Sequence, residues 1–161
     1  MRNHWWRLCV VAGVLILGAC AAPPPAKVEK AGQPAPVEVL SERYTVLPEG
    51  VIADARTGLQ WVVGPDRDMD FDQAVAWVGS CRAAGGGWRM PTREELRSLH
   101  QPGRGERNMA PVFQTSGWWV WAEPRDARSA WSFSFNHGCA TWDARINSCY
   151  GRAFGVRQAP R

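Results

Sequence analysis

The side chains most able to do chemistry in this chain are its cysteines, its arginines and its tryptophans. Five Cys occur, at 9, 20, 81, 139 and 149, and ten Trp stand against two Tyr. Eight of the Trp fall between Trp61 and Trp142. Tryptophan buries a large area and needs a partner for its N–H, so this density means a heavily anchored core, an aromatic binding surface, or both. Arg104, Arg107, Arg125, Arg128, Arg145 and Arg152 fall in loops or at strand ends, with Trp121 and Trp142 near several of them. Guanidinium forks suit sulfate, phosphate and carboxylate, and indole faces suit cations and sugar rings. The expected ligand-binding set is Trp121, Arg125, Arg128, Trp142 and Arg145.

Catalytic and metal chemistry find little support. No Gly-x-Ser-x-Gly elbow occurs. After residue 4 the only histidines are His100 and His137, and His137-Gly138-Cys139 lacks the paired spacing of a zinc site. Asp66, Asp68, Asp70 and Asp72 alternate like the opening of a calcium loop, but the Gly and closing Glu of an EF-hand are missing. The bland reading is an acidic turn leading into a helix N-terminus, where the dipole favours negative charge. No catalytic residue, metal or cofactor is assigned, and the chain is read as a non-enzyme. From Tyr44 onward there are 14 Arg, no Lys and 12 acidic residues, a balance too even for a nucleic-acid coat.

The elements that must position these groups begin after two N-terminal segments. Arg2 and Arg7 precede a short apolar run from Leu8 to Leu17, too short to span a bilayer and shaped like a secretory signal. It ends Leu17-Gly18-Ala19-Cys20, which resembles the lipobox of bacterial lipoproteins. That resemblance implies cleavage before Cys20, lipidation of its thiol, and, with Ala21 rather than Asp following, an outer-membrane anchor of Gram-negative type. Two or three acyl chains hold a membrane firmly where one does not. Residues 20–43 are Pro- and Ala-rich, without hydrophobic period, and read as an extended tether. The expected organisation is signal 1–19, lipidated tether 20–43 and folded domain 44–161.

Within the domain, Gly50 to Trp61 reads as strand, Thr57-Gly58 turn and strand. Asp70 with Gln73, and Thr92 with Glu95, form two capping boxes that open helices. Phe71, Ala74, Val75, Val78 and Cys81 follow the first box at helical spacing; Leu96 and Leu99 follow the second, whose helix should stop at Pro102-Gly103. Trp118 to Ala122 reads as strand, Trp131, Phe133 and Phe135 alternate, Asn136-His137-Gly138 turns, and Ala153 to Arg157 closes. Helices followed by antiparallel strands make an α+β domain. Trp61, Trp77, Trp88 and Trp131 are expected in its core.

Cys9 leaves with the signal and Cys20 takes the lipid, so Cys81, Cys139 and Cys149 remain, an odd number for an oxidising compartment. Cys139–Cys149 is the expected disulfide, with Cys81–Cys149 the alternative and Cys81–Cys139 also open.

The blocks Thr57-Gly58-Leu59-Gln60-Trp61, Ala74-Val75-Ala76-Trp77, Trp88-Arg89-Met90-Pro91-Thr92-Arg93-Glu94-Glu95-Leu96, Trp118 to Glu123, Ala130 to Phe135 and Val156-Arg157 occur in an order that resembles the Lcl-type C-terminal domain. The resemblance covers roughly residues 50–157, and the Trp88–Leu96 block is its most specific piece. It implies a C-type-lectin-like fold, with two helices packed on a small antiparallel sheet with long loops, distantly related to formylglycine-generating enzymes. It also implies an extracytoplasmic setting and, for the namesake, binding of sulfated polysaccharide. The family often carries a Cys before the terminal Val-Arg, paired with a Cys on the first helix; here Cys81 is present but Gly155 stands at the other position. Glu123-Pro124-Arg125 lacks the Asn of the lectin sugar triplet, so calcium-dependent sugar binding is not carried over. The functional expectation is a lipid-anchored binding or interaction module for an anionic polysaccharide or an envelope protein. A structural accessory lipoprotein of an envelope complex, and a degenerate relative of formylglycine-generating enzymes, are the alternatives.

Overall fold

The structure, a computed structural model, describes residues 43–147 and 149–160. The signal, Cys20 and most of the tether lie outside the described residues. In chain order the elements are β1 (Tyr44–Val46), β2 (Ile52–Asp54), β3 (Leu59–Val63), α1 (Phe71–Ser80), α2 (Arg93–Leu99), β4 (Trp119–Pro124), β5 (Ser129–Ser134), β6 (Cys139–Ala144), β7 (Gly151–Arg152) and β8 (Phe154–Gln158). The fold is α+β. In place of one small sheet there are two of four strands, ordered β1-β2-β3-β8 and β6-β5-β4-β7. The first is antiparallel throughout; in the second β4 and β7 run parallel. Among the described residues no helix is long and apolar enough to cross a membrane.

Both helices start where their side chains can satisfy orphan N–H groups. Asp70 Oδ1 accepts from the Gln73 N–H at 2.7 Å, and Gln73 Oε1 accepts from the Asp70 N–H at 3.2 Å. Thr92 and Glu95 repeat the exchange at 3.2 and 2.8 Å. Phe71, Ala74 and Val78 face the core, but Val75 is exposed. Helix α2 ends at Leu99, earlier than expected, because His100 is extended and returns its N–H to the Arg97 carbonyl.

The main core joins Trp61, Leu96, Leu99, Phe113, Val120, Phe133, Phe135 and Phe154, so α2 is sandwiched with one face of the second sheet and the first sheet. A second cluster packs Met69, Phe71 and Ala74 against Trp121, Ala130 and Ala153. Of the four tryptophans expected inside, Trp61 and Trp88 are buried, while Trp77 and Trp131 are only partly so.

The expected Cys139–Cys149 bridge is corrected: Cys81, Cys139 and Cys149 are all free. The cause is β6. It starts at Cys139 and pairs residue by residue with β5 as far as Ala144. At ~3.3 Å per residue the strand carries the chain well away from Cys139 before it turns. Cys149 returns beside Thr141, Trp142 and Asp143 instead. The alternative Cys81–Cys149 bridge is not formed either, and the family's own partner position is held by Gly155 in a tight spot. A Cβ on Gly155 would sit 2.8 Å from Val62 Cγ2 and 3.4 Å from Trp88 Cβ. Cys81, half-buried at the end of α1, packs against the cluster that Val62, Val78 and Trp88 form there.

Candidate functional site

The most specific sequence block turns out to be a clasp. Arg89 exchanges backbone hydrogen bonds with Val156 at 3.0 Å each way, tying the entry to α2 onto the first sheet. Its guanidinium donates to both Glu95 oxygens, at 2.9 and 2.6 Å. Burial pushes the Glu95 carboxyl up, but the Arg89 fork and the Thr92 donors outweigh it and hold the group below the usual carboxylate range. Trp88 donates its indole N–H to the Ala83 carbonyl at 3.0 Å. These residues position α2, and through Arg93 at its first turn they reach the surface of the second sheet.

There the side chains stack. Trp131 of β5 stands directly opposite Trp142 of β6. The Arg93 guanidinium lies 4.1 Å above Trp131, and Arg125 lies 4.0 Å from the Trp142 ring and 5.6 Å from Trp131. Glu123 accepts from the Arg93 N–H and Nε, both at 2.8 Å, fixing the first guanidinium. Trp142 remains 54% exposed, so the outer end of the stack is open to solvent.

The opposite face of the same strands forms a groove of about 370 Å³. Alternation puts Trp119, Trp121, Ser132, Thr141 and Asp143 on this face, Trp142 also borders the groove, and the β6–β7 connection adds Asn147, Cys149 and Tyr150. Trp121 is buried, and its N–H is spent on the Met69 carbonyl at 2.8 Å. That contact requires Gly151, where a Cβ would lie 2.7 Å from the Met69 oxygen and press on the indole. Asp143 accepts from the Ala144 N–H at 2.7 Å and from the Asn147 amide, whose own oxygen takes the Cys149 N–H at 3.0 Å. Tyr150 is held at φ 69°, in the left-handed region, and is 67% exposed.

The five residues expected to bind ligand therefore divide. Trp121 is a buried wall of the groove, and Trp142 and Arg125 form the open stack. Arg128 and Arg145 line a separate hollow with Asp72 and Ile146. Arg145 is engaged within the fold: it pairs with Asp72, lies 4.8 Å over Phe71, and gives its carbonyl to the Phe71 N–H at 3.0 Å. The acidic run is likewise engaged. Asp66 accepts from the Ser116 N–H and Oγ at 2.9 Å and from Arg152 Nε at 3.0 Å, while Arg152 also pairs with Asp68. The Ser116 N–H, with Arg152, draws the Asp66 carboxyl down to about 2. Trp119, Ser132, Thr141, Asp143, Asn147 and Tyr150 were missed. The parity of Trp119 and Trp121 around Val120, and of Ser132 between Trp131 and Phe133, was the available signal.

No curated protein matches the chain. The family model for the Lcl C-terminal domain matches residues 50–155, a span that runs from the turn before β2 into β8 and takes in the Arg89–Glu95 clasp, the tryptophan–arginine stack and the groove. The chain belongs to the Lcl C-terminal domain family.

Proposed function

We propose that this protein is a binding module, held at the outer membrane through lipid on Cys20, that grips a glycan outside the cytoplasm without transforming it. The observation that carries the reading is the open end of the second sheet, where Arg125 lies on the exposed Trp142 ring beside a groove with aromatic walls. Stacked guanidinium and indole present a planar donor array and a flat apolar face together, which suits a sugar bearing sulfate or carboxylate.

An envelope protein is the second reading, favoured by Ile146, 85% exposed, and Tyr150 on the same connection. The two are separated by passing the full-length lipoprotein, in detergent, over immobilised heparin and by identifying what co-purifies with it. A glycan binder is retained and elutes with salt, and Arg125→Gln and Trp142→Ala both weaken retention. A stoichiometric protein companion with no heparin retention supports the second reading. Cys20→Ser supports the anchor if the precursor stays uncleaved and takes up no labelled fatty acid.

A further inference from the structure

The groove and the tryptophan–arginine stack meet at Trp142, which lines the one and carries Arg125 in the other, but their chemistry differs. Among the described residues lining the groove there is no Arg, Lys or His; its charged side chain is Asp143. The nearest guanidinium in the stack, Arg125, has its face on Trp142, and Arg152 and Arg145 are committed to aspartates. A polyanion entering here meets a carboxylate with no compensating cation, a like-charge contact that costs binding energy. What the groove offers is different: flat aromatic faces at Trp119 and Tyr150, hydroxyls at Ser132 and Thr141, and a carboxylate that Asn147 and the Ala144 N–H orient while leaving acceptor capacity. At about 370 Å³ it falls in the size range of small-ligand sites.

We infer that the groove is a subsite for an uncharged sugar ring, whose apolar face lies on Trp119 or Tyr150 and whose hydroxyls donate to Asp143 and exchange hydrogen bonds with Thr141. This deepens the glycan reading and rests on it. The neutral ring and the anionic group are read by different side chains, and no guanidinium lines the groove, so affinity in the groove should not depend on salt, while affinity at Arg125 should.

The test uses the full-length lipoprotein in a detergent without a sugar headgroup. Cellotriose, maltotriose and chitotriose are titrated by calorimetry and tryptophan fluorescence at low and high salt, with a heparin hexasaccharide in parallel. Thr141→Val and Asp143→Asn leave the buried core untouched, and far-UV circular dichroism checks that they fold. The inference expects at least one neutral trisaccharide to bind independently of salt. Each of the two variants should weaken it roughly tenfold, the loss of about 1.4 kcal/mol, and Arg125→Gln should not. Alkylation of Cys149, which lines the groove, should slow in the presence of that sugar while alkylation of Cys139 does not. The inference is overturned if none of the three sugars binds, or if binding is indifferent to Thr141→Val and Asp143→Asn. Heparin binding lost in Arg125→Gln with no neutral sugar bound removes the subsite and leaves the glycan reading standing. No binding of either kind removes both.

Discussion

Arg43 precedes β1 and looks from sequence like the last residue of the tether, yet the fold should fail to tolerate its removal. Its Nε and Nη2 donate to the two oxygens of Asp54 at 2.8 and 2.6 Å, and its Nη1 reaches the Ser98 carbonyl at 3.0 Å. The Asp54 side chain is completely buried, 0% exposed, and also accepts the Arg56 N–H at 3.0 Å. Removing one partner of a buried pair leaves an uncompensated charge, which costs ~3–5 kcal/mol. For a body of this size each kcal/mol lowers Tm by about 3–5 °C, so Arg43→Met, or a chain beginning at Tyr44, should melt about 10–20 °C lower. Burial alone would raise the Asp54 carboxyl, but Arg43, Thr57 and the Arg56 N–H together hold it below the ordinary value of 3.8. A group depressed in the folded state contributes stability above its unfolded pKa and loses it as pH falls through the folded value. The deficit of Arg43→Met against the natural chain should therefore be largest at neutral pH and shrink as acid protonates Asp54, first in the variant, where burial raises its carboxyl, and then in the natural chain. Replacing both residues, Arg43→Met with Asp54→Asn, should recover much of the loss, since a buried pair exchanged for neutral groups is often close to neutral overall. Urea unfolding followed by tryptophan fluorescence measures all three. A deficit under about 1 kcal/mol, or one that acidification leaves unchanged, would refute the reasoning.

Two further outcomes test the groove and the cysteines. Gly151→Ala should cost about 2–4 kcal/mol, combining overpacking with loss of the buried Trp121–Met69 hydrogen bond, and should shift indole emission; a variant as stable as the natural chain would show that Trp121 is not seated as described. In the mature folded protein, alkylation should modify Cys139 and Cys149 quickly and Cys81 slowly. If only Cys81 reacts, Cys139 and Cys149 are bridged after all and β6 does not run as an extended strand.

What could be read from sequence was what neighbours in the chain decide. Each capping box closes over three residues, so Asp70–Gln73 and Thr92–Glu95 announce α1 and α2 locally. Trp131, Phe133 and Phe135 alternate strictly and announce β5. Strand β6 was missed although Ala140, Trp142 and Ala144 alternate with Thr141 and Asp143; with two of its three apolar residues only alanine, the signal is weak, and the register comes from β5, with Trp142 set against Trp131. The first sheet closes only when β8 returns to β3, nearly a hundred residues later, which no local pattern encodes.

The same distinction explains why only part of the binding surface was legible. Sequence shows how many arginines there are but not which are already engaged. Arg43, Arg89, Arg93, Arg145 and Arg152 are each held by a carboxylate of this chain, and three of these five pairs join residues 30 or more apart in sequence. An arginine so paired holds the fold together and has little left to offer a ligand. Arg125 is held differently, by the face of Trp142, which restrains the guanidinium plane without neutralising it or using up its N–H donors. That difference, invisible in composition, is why the proposed glycan reading rests on Arg125 and not on Arg145.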